Sequence, residues 1–524
     1  MKKSSVLYIF ISLLALISLC FRGYSQILVT PAEYLFSVNF KDSSALPLFP
    51  KVYMNPVSNM DCQHPTERKP RNTWMGRKIH NEHFLLVDSS TYTLIIDPAV
   101  HFSIGKQTGY APTLSENTRG IRISGDLHKK LFFSSELYET QRVFPSYLEA
   151  FADSFEVAPG LMRAKEFKEY GRDYATVYGT LVWMPVSSFQ LWFARDKLHF
   201  GHGHRSMLLS ENAPASTFVR TSINRKKWSY HFILASLQNV SLQNIIDVPQ
   251  SSMGGYQNKY ANFSIISFNP IEQLEISLFE SMIWAPHNQT YNSLQWKHFN
   301  PVPFSRTAYY GMDNKNNTMA GLQLSMKLPY NLLIYGQYAI DETGNLDKAA
   351  MQAGLGFEKK SGCRFIKTNI EYNSAGAYTF THTDPLQSYS HYHHSLAHPL
   401  GANFREILLK TSVTDQRWAA YAMFSFVQGG VDTEFETTGQ SIYADPAFAN
   451  WNGGLFPALT TTNASMMFAD VRAHYFINKT SNLNVFINGV YRKTINTPNP
   501  LQSIEFHAGI STSLRTYCQH QTWF

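Results

Sequence analysis

Residues 320–328 read AGLQLSMKL, and their side chains sort by simple alternation. Ala320, Leu322, Leu324, Met326 and Leu328 fall on one parity; Gly321, Gln323, Ser325 and Lys327 fall on the other. Successive side chains of an extended strand point to opposite faces, so this stretch is a strand with one apolar and one polar face. The pattern recurs along the chain. Ile121, Ile123 and Leu127 alternate with Arg122, Ser124 and Asp126, and Leu274, Ile276 and Leu278 with Gln273, Glu275 and Ser277. Leu483, Val485 and Ile487 alternate with Asn482, Asn484 and Asn488. Ile504, Phe506, Ala508, Ile510 and Leu514 alternate with Ser503, Glu505, His507, Ser511 and Arg515. Many such segments run about 9 to 12 residues, the length a tilted strand needs to cross a bilayer. Strands of soluble proteins average nearer ~5 to 6.

Further strands are expected around Thr91–Ser103, Leu131–Gln141, Asp173–Met184, Ser188–Asp196, Trp228–Gln238, Asn262–Asn269, Asn331–Asp341, Phe365–Ser374, Trp418–Val427 and Met466–Phe476. Weaker segments between them raise the count to about 16–18, and bacterial barrels favour even numbers. Tight connections such as Pro329-Tyr330-Asn331 and Asn478–Asn482 contrast with long polar ones, Trp284–Asn317 and Asn373–Phe404. Short turns at one end and long loops at the other fit periplasmic turns and outside loops. The fold class is therefore all-β: a transmembrane antiparallel β-barrel with short periplasmic or plug helices.

The remaining composition agrees. Lys2 and Lys3, the apolar run Val6 to Phe21 and the small residues of Gly23-Tyr24-Ser25 form a secretory signal peptide, residues 1–25. Past it no stretch has the ~18 apolar residues of a helical span, and a barrel needs none. Removing Lys2, Lys3 and Arg22 lowers the net charge from +7 to +4, which suggests no nucleic-acid partner. Cys62, Cys363 and Cys518 are an odd set at wide spacings, neither a disulfide framework nor a zinc site. Aromatic residues reach 14% and suit interfacial girdles. Phe524 is a terminal aromatic of the kind the outer-membrane assembly machinery recognises. Residues 26–90 are expected to be a partly helical periplasmic segment and residues 91–524 the barrel. A helical insertion near 145–170 is marked by Pro145-Ser146-x-x-Glu149, by Leu148, Phe151 and Phe155 at helical spacing, and by Pro159-Gly160. Such a helix would plug the lumen or dock at the periplasmic mouth.

Two clusters carry chemistry-bearing side chains. His199, His202, His204 and Arg205 surround Gly201 and Gly203, a flexible turn with no carboxylate or thiol at ligand spacing. Arg205 could pair with an acidic sugar through its planar fork. The second cluster holds Tyr378, His382, Asp384, Tyr389, His391, Tyr392, His393, His394 and His398. Its rings and polar edges suit a sugar, with its apolar face and hydroxylated rim. The alternatives are a packed loop whose polar groups satisfy each other, and a metal held by Asp384, His391, His393 and His394. The ligand-binding candidates are Arg205, Tyr378, Asp384, Tyr389, His391, Tyr392, His394 and His398, with no metal or cofactor assigned. Ser206, Ser210 and His204 could form a nucleophile–base pair, but no G-x-S-x-G elbow accompanies them. By parity Arg122, Arg195, Glu275, Lys327, Asp341, Glu371 and Arg492 line the lumen, and their mixed signs suggest a salt-bridge network that closes it.

Four stretches carry a resemblance: Trp74–Asp97 (WMGRKIHNEHFLLVDSSTYTLIID), Phe200–Ala213 (FGHGHRSMLLSENA), Leu332–Glu342 (LLIYGQYAIDE) and Tyr378–Glu406 (YTFTHTDPLQSYSHYHHSLAHPLGANFRE). Together they resemble the Wzi-type capsule-assembly proteins and the related RemB-type gliding-motility proteins, from about Trp74 to the carboxyl end. The resemblance implies an outer-membrane barrel of about 18 strands with helices on its periplasmic side, residues 72–83 among them. It also implies a non-enzymatic protein that binds surface polysaccharide or serves the surface gliding apparatus. The partners then expected are outer-membrane lipid, surface polysaccharide, the assembly machinery and gliding proteins, with the loops after Trp284 and Asn373 as external contact surface. A passive channel or transporter, and an outer-membrane hydrolase, are the alternative readings.

Overall fold

The computed structural model describes residues 71–240, 256–285, 300–302, 304, 316–341, 348–432, 437–446, 463–497 and 500–512. The expected signal peptide, Cys62, Cys518 and Phe524 lie outside the described residues. Period-two sequence becomes period-two structure. The barrel strands are β1 (Tyr92–Gln107), β2 (Leu114–Leu127), β3 (Leu131–Val143), β4 (Gly171–Val186), β5 (Phe189–Asp196), β6 (Ser216–Asn224), β7 (Trp228–Val240), β8 (Tyr256–Ile271) and β9 (Leu274–Trp284). They continue as β10 (Asn317–Leu328), β11 (Leu332–Asp341), β12 (Ala349–Ser361), β13 (Arg364–Ala375), β14 (Phe404–Asp415), β15 (Trp418–Gly430), β16 (Asn463–Asn478), β17 (Leu483–Ile495) and β18 (Gln502–Ser511). Each pairs antiparallel with the next, and β18 pairs with β1 through His101–Gln107, so the sheet closes on itself with eighteen strands. Closure leaves every strand with two neighbours, as a bilayer without hydrogen-bonding solvent demands.

The deciding stretch behaves as read. In β10, Leu324 and Met326 are 44% and 46% exposed on the outer wall, whereas Gln323 and Ser325 are buried inside. Connections after even-numbered strands are two to four residues long; those after odd-numbered strands run from six to thirty-two. The short-turn end carries exposed Tyr92, Trp183, Phe268, Tyr330 and Trp418, an aromatic girdle at one water interface. Cys363, in the turn between β12 and β13, is disulfide-bonded.

Among the described residues, two α-helices lie at opposite ends of the barrel. Helix α1 (Trp74–His80) is capped by Thr73, whose side chain accepts from the Gly76 N–H. It docks at the short-turn end, where Asn478 Nδ2 donates to the Lys78 and Glu82 carbonyls. A short strand, Leu85–Asp88, then pairs with Thr93–Ile96 of β1 on the edge that β18 uses further up. Helix α2 (Ser146–Phe155) lies in the β3–β4 connection at the long-loop end. The Ser-x-x-Glu signature places a helix there but forms no capping box. The Ser146 hydroxyl accepts from Gln107, Glu149 pairs with Arg172, and the N-cap, Pro145, has no side-chain bond. The helix ends at Glu156 in the left-handed region (φ 52°), ahead of Pro159-Gly160.

Candidate functional site

The lumen is filled by the chain itself. Residues 197–215, joining β5 to β6, and residues 376–403, joining β13 to β14, turn inward from the long-loop end. Leu198, Phe200, Met207, Leu208 and Leu209 of the first, and Phe380, Leu386, Tyr389, Leu396 and Leu400 of the second, form one apolar core with Phe263 and Phe279 of the wall. An apolar core inside a barrel needs polar wall residues to fix it, and parity supplies them. Lys259 of β8, fully buried, donates to the Ser388 carbonyl and the Ser390 hydroxyl, both at 2.8 Å. Asp341 of β11 accepts the Phe380 N–H at 2.6 Å, and Asn239 of β7 donates to the Leu386 carbonyl at 2.7 Å. The two inserts also bind each other: the Tyr389 hydroxyl donates to the Leu208 carbonyl at 2.6 Å.

The 199–206 turn presses against the inner wall. A Cβ at Gly201 would collide with the Gln337 amide, and one at Gly203 with Gln352, so the glycines serve close approach rather than flexibility. Arg205 extends both Nε and Nη2 to the Glu406 carboxylate, at 3.2 and 3.1 Å. Glu406 also accepts from His398 Nε2 at 2.8 Å, from Ser425 at 2.6 Å and from Asn373 at 3.0 Å. Glu371 accepts from the His204 and Arg205 backbone N–H groups and from the Tyr335 hydroxyl. A buried charge pair carries a desolvation cost, and here further donors saturate the carboxylate.

The histidines of the second insert act as two-sided bridges. His391 Nδ1 accepts the Gln238 N–H at 2.9 Å while Nε2 donates to the Ala215 carbonyl. His394 Nε2 accepts the Gly160 N–H at 2.8 Å, and Nδ1 donates to the Tyr392 carbonyl at 2.7 Å. His398 Nδ1 accepts the Leu400 N–H, leaving Nε2–H for Glu406. Each pattern requires a neutral ring. Burial pushes His391 and His394 down to about 3 and His398 down to about 4, the last in spite of the neighbouring carboxylate. Helix α2 reaches the same insert: Phe155 stacks on His393 at 3.5 Å, and His393 stacks on Tyr443 at 4.6 Å. Of the two places open to it, α2 takes the plug.

The structure places the sequence-derived residues as follows. Tyr378, Tyr389, His391, His394 and His398 are buried in the insert; Asp384 and Tyr392 are half-buried. The expected external surface after Asn373 is thus corrected to an internal one, because inward wall residues Lys259, Asp341 and Asn239 satisfy its polar groups while its apolar residues pack with Phe263 and Phe279. Arg205 does pair with a carboxylate, but with Glu406 of the same chain. Among the described residues no three His, Cys, Asp or Glu side chains are grouped to hold a metal ion. The Ser206 and Ser210 hydroxyls donate to the Phe200 and Ala397 carbonyls, and Ser206 also to Gln337. Neither is paired with a base there.

Of the wall residues, Glu275, Asp341, Glu371 and Arg492 are buried on the inner face, and Arg122 reaches Glu136 at 3.1 Å. Lys327 has inward parity but stands exposed at the short-turn rim. Arg195 is a correction. Gln190, Trp192, Ala194 and Asp196 face inward, which puts Arg195 on the outer side, where Nη1 donates to Thr217. Trp192 and Phe193 are both large and apolar, so hydropathy alone does not fix the parity of β5. Lys259, Glu406 and Gln352 are not marked by the sequence reading; a polar residue at inward parity of a strand is the signal that marks them, as it does Gln337.

The family model described as Capsule assembly protein Wzi matches residues 130–414, just over half of the chain. Among solved structures the chain is similar to Wzi of Escherichia coli, described as an outer membrane protein involved in group 1 capsule assembly and a carbohydrate-binding β-barrel. The identity is 12%, the match covers 79% of this chain and 83% of that one, and the TM-score is 0.51. OprD of Pseudomonas aeruginosa matches at 8% identity, 80% and 94% coverage and TM-score 0.41. OpdK of the same organism, with vanillate, matches at 9% identity, 80% and 98% coverage and TM-score 0.42. No curated protein matches the chain.

Proposed function

Because this chain belongs to the capsule assembly protein Wzi family and is an outer-membrane β-barrel, we propose that it binds surface polysaccharide and retains it at the cell without chemical turnover. The observation that carries this reading is the filled lumen. Two inserts and α2 occupy the space a transported solute would need, so the long-loop end is left to act by contact. A sugar-binding barrel of the same architecture, Wzi of Escherichia coli, supports the choice of ligand. Nothing found favours the gliding role.

Purified protein in detergent micelles, titrated with polysaccharide extracted from the host surface, tests the proposal. Saturable binding with unchanged polymer length is expected. Absence of binding, or shortening of the polymer, overturns it. Planar-bilayer recordings address the channel reading: the filled barrel is expected to give no stable conductance steps. Replacing Tyr389, Tyr392 and His394 together by Ala is expected to weaken retention by unseating the insert. The same variant should then show increased cleavage of residues 376–403 by added protease. Weakened retention with an intact insert would instead mark these side chains as sugar contacts.

A further inference from the structure

One sector of the outer wall departs from an apolar exterior. Across β7, β8, β9 and β10, one outward row reads Phe232, Ser264, Glu280 and Ala320, and the row above it reads Leu234, Asn262, Met282 and Thr318. Parity fixes these as outward. Their inward neighbours Ile233, Phe263 and Phe279 belong to the lumen core, and Leu278 and Phe268, on the outward parity, are 42% and 47% exposed. Nevertheless Asn262 and Ser264 are fully buried, as are Glu280, Met282 and Trp284 to within 3%. Glu280 is six residues into β9. With ~3.4 Å per residue and a ~40° tilt, it stands about 16 Å above the start of the strand, inside an apolar band ~25 Å tall. Hydrocarbon offers nothing to a carboxylate or an amide at that height.

The chain covers them. The Phe304 N–H donates to the Glu280 carboxylate at 2.9 Å, and the Tyr230 hydroxyl donates to the Pro301 carbonyl. Tyr230 belongs to the row of Ile266 and Leu278, one row below Glu280, so Pro301 and Phe304 lie down the outside of the wall. They belong to the β9–β10 connection, whose ends, Ala285 and Asn316, are both buried at the long-loop rim. The stretch between those ends is long enough to descend and return: the drop from Trp284 to Leu278 spans only six residues of strand.

We propose that the outward wall of β7 to β10 above Leu278 is the seat of the chain's own β9–β10 connection, held through Pro301 and Phe304 with Glu280 as anchor. Neither lipid nor a neighbouring protein then contacts this sector.

The test uses the full chain in outer-membrane fragments. Tyr230→Cys and Pro301→Cys are introduced together, mild oxidant is added, and the disulfide-linked peptide is read by mass spectrometry, with Tyr330→Cys and Pro301→Cys as the distant control pair. The linked peptide is expected from the first pair and not from the control. Glu280→Ala is expected to shift the ratio of linked to unlinked chain about ten-fold towards unlinked, the effect of losing a hydrogen bond to a charged group. Glu280→Gln, which keeps an acceptor for the Phe304 N–H, is expected to restore most of it. A yield from the first pair no higher than the control overturns the proposal, provided heat-modifiability shows the barrel folded. A link from the thiol at position 230 to a second copy overturns it in favour of a protein neighbour. Labelling of Ser264→Cys by a lipid-soluble maleimide as fast as Leu278→Cys overturns it in favour of lipid.

Discussion

The connection after β13 and the described residues of the connection after β9 belong to the same rim of the barrel and lie on opposite sides of its wall. Both are long and mix aromatic with polar residues, and both read from sequence as outside contact surface. The first turns inward, where Phe380, Tyr389 and Leu396 meet Phe263 and Phe279, and its polar groups meet Lys259, Asp341 and Glu406. The second sends Pro301 and Phe304 down the outer wall, onto Tyr230 and Glu280. What separates them is the wall each one meets. Inward parity of β8 and β11 offers a buried cation and a carboxylate to the first; outward parity of β8 and β9 offers Asn262, Ser264 and Glu280 to the second. A long connection goes where strand residues of otherwise unfavourable polarity await it.

Substitutions can break this comparison, and the largest effect is expected at Glu406. Glu406→Ala leaves Arg205 buried without its carboxylate, which typically costs ~3–5 kcal/mol. The insert should loosen, and planar-bilayer recordings should gain conductance steps that the native protein lacks. A closed barrel of unchanged stability would show that the ion pair does not hold the plug.

Acid should separate the two connections next. His391 and His394 are held down to about 3 and His398 to about 4 by burial. In the released insert these rings take up a proton near pH ~6.5, before the seated ones do, so the seated state is fully favoured above about pH 6.5. It weakens as pH falls from there and levels off near pH ~3. Each ring should cost ~2–3 kcal/mol between about pH 6.5 and 4.5. Protection factors of residues 376–403 in hydrogen exchange, which remove the intrinsic slowing of exchange by acid, should therefore fall over that interval. The described contacts of Pro301 and Phe304 contain no imidazole, so the protection factor of the Phe304 amide in hydrogen exchange should be the same at about pH 7 and about pH 5. Equal protection factors for residues 376–403 at about pH 6.5 and about pH 4.5 would remove the histidines from the account of the plug.

Smaller effects sharpen the contrast. Tyr389→Phe removes one hydrogen bond, to the Leu208 carbonyl, and keeps the packed ring. A loss of ~1 kcal/mol is expected in denaturant unfolding, with no conductance. Arg364→Ala, at the short-turn end away from both connections, breaks an exposed pair with Asp415 at 2.9 Å and should change stability by less than ~1 kcal/mol. A larger loss there would mean that the turn between β12 and β13, which carries the Cys363 disulfide, matters more than its exposure implies.

Legibility followed contrast between neighbouring side chains. The stretch at 320–328 alternates Leu and Met with Gln, Ser and Lys, and both its strand and its faces could be read. β12 is AAMQAGLGFEKKS, in which Ala and Gly offer little difference between faces, so the sequence does not mark a strand there. β14 begins at Phe404, at the edge of a histidine-rich stretch that reads as loop, so its start is hidden in the sequence. In β5, apolar Trp192 and Phe193 on opposite faces hid the parity that Arg195 depends on.

By itself the sequence determined the local period and, through it, the class of fold: a two-residue repeat over membrane-spanning lengths admits few structures besides a closed barrel. It also determined the end-to-end asymmetry, since turn length is written directly in the spacing of the strands. Only the tertiary structure decided that eighteen strands close, that the histidine-rich insert is core rather than surface, and that Arg205 is bound to Glu406, about two hundred residues away in the chain. The reason is physical. Period is a property of neighbours along the backbone, whereas the burial of a loop depends on which distant wall residues complement it, and those meet only when the barrel has formed.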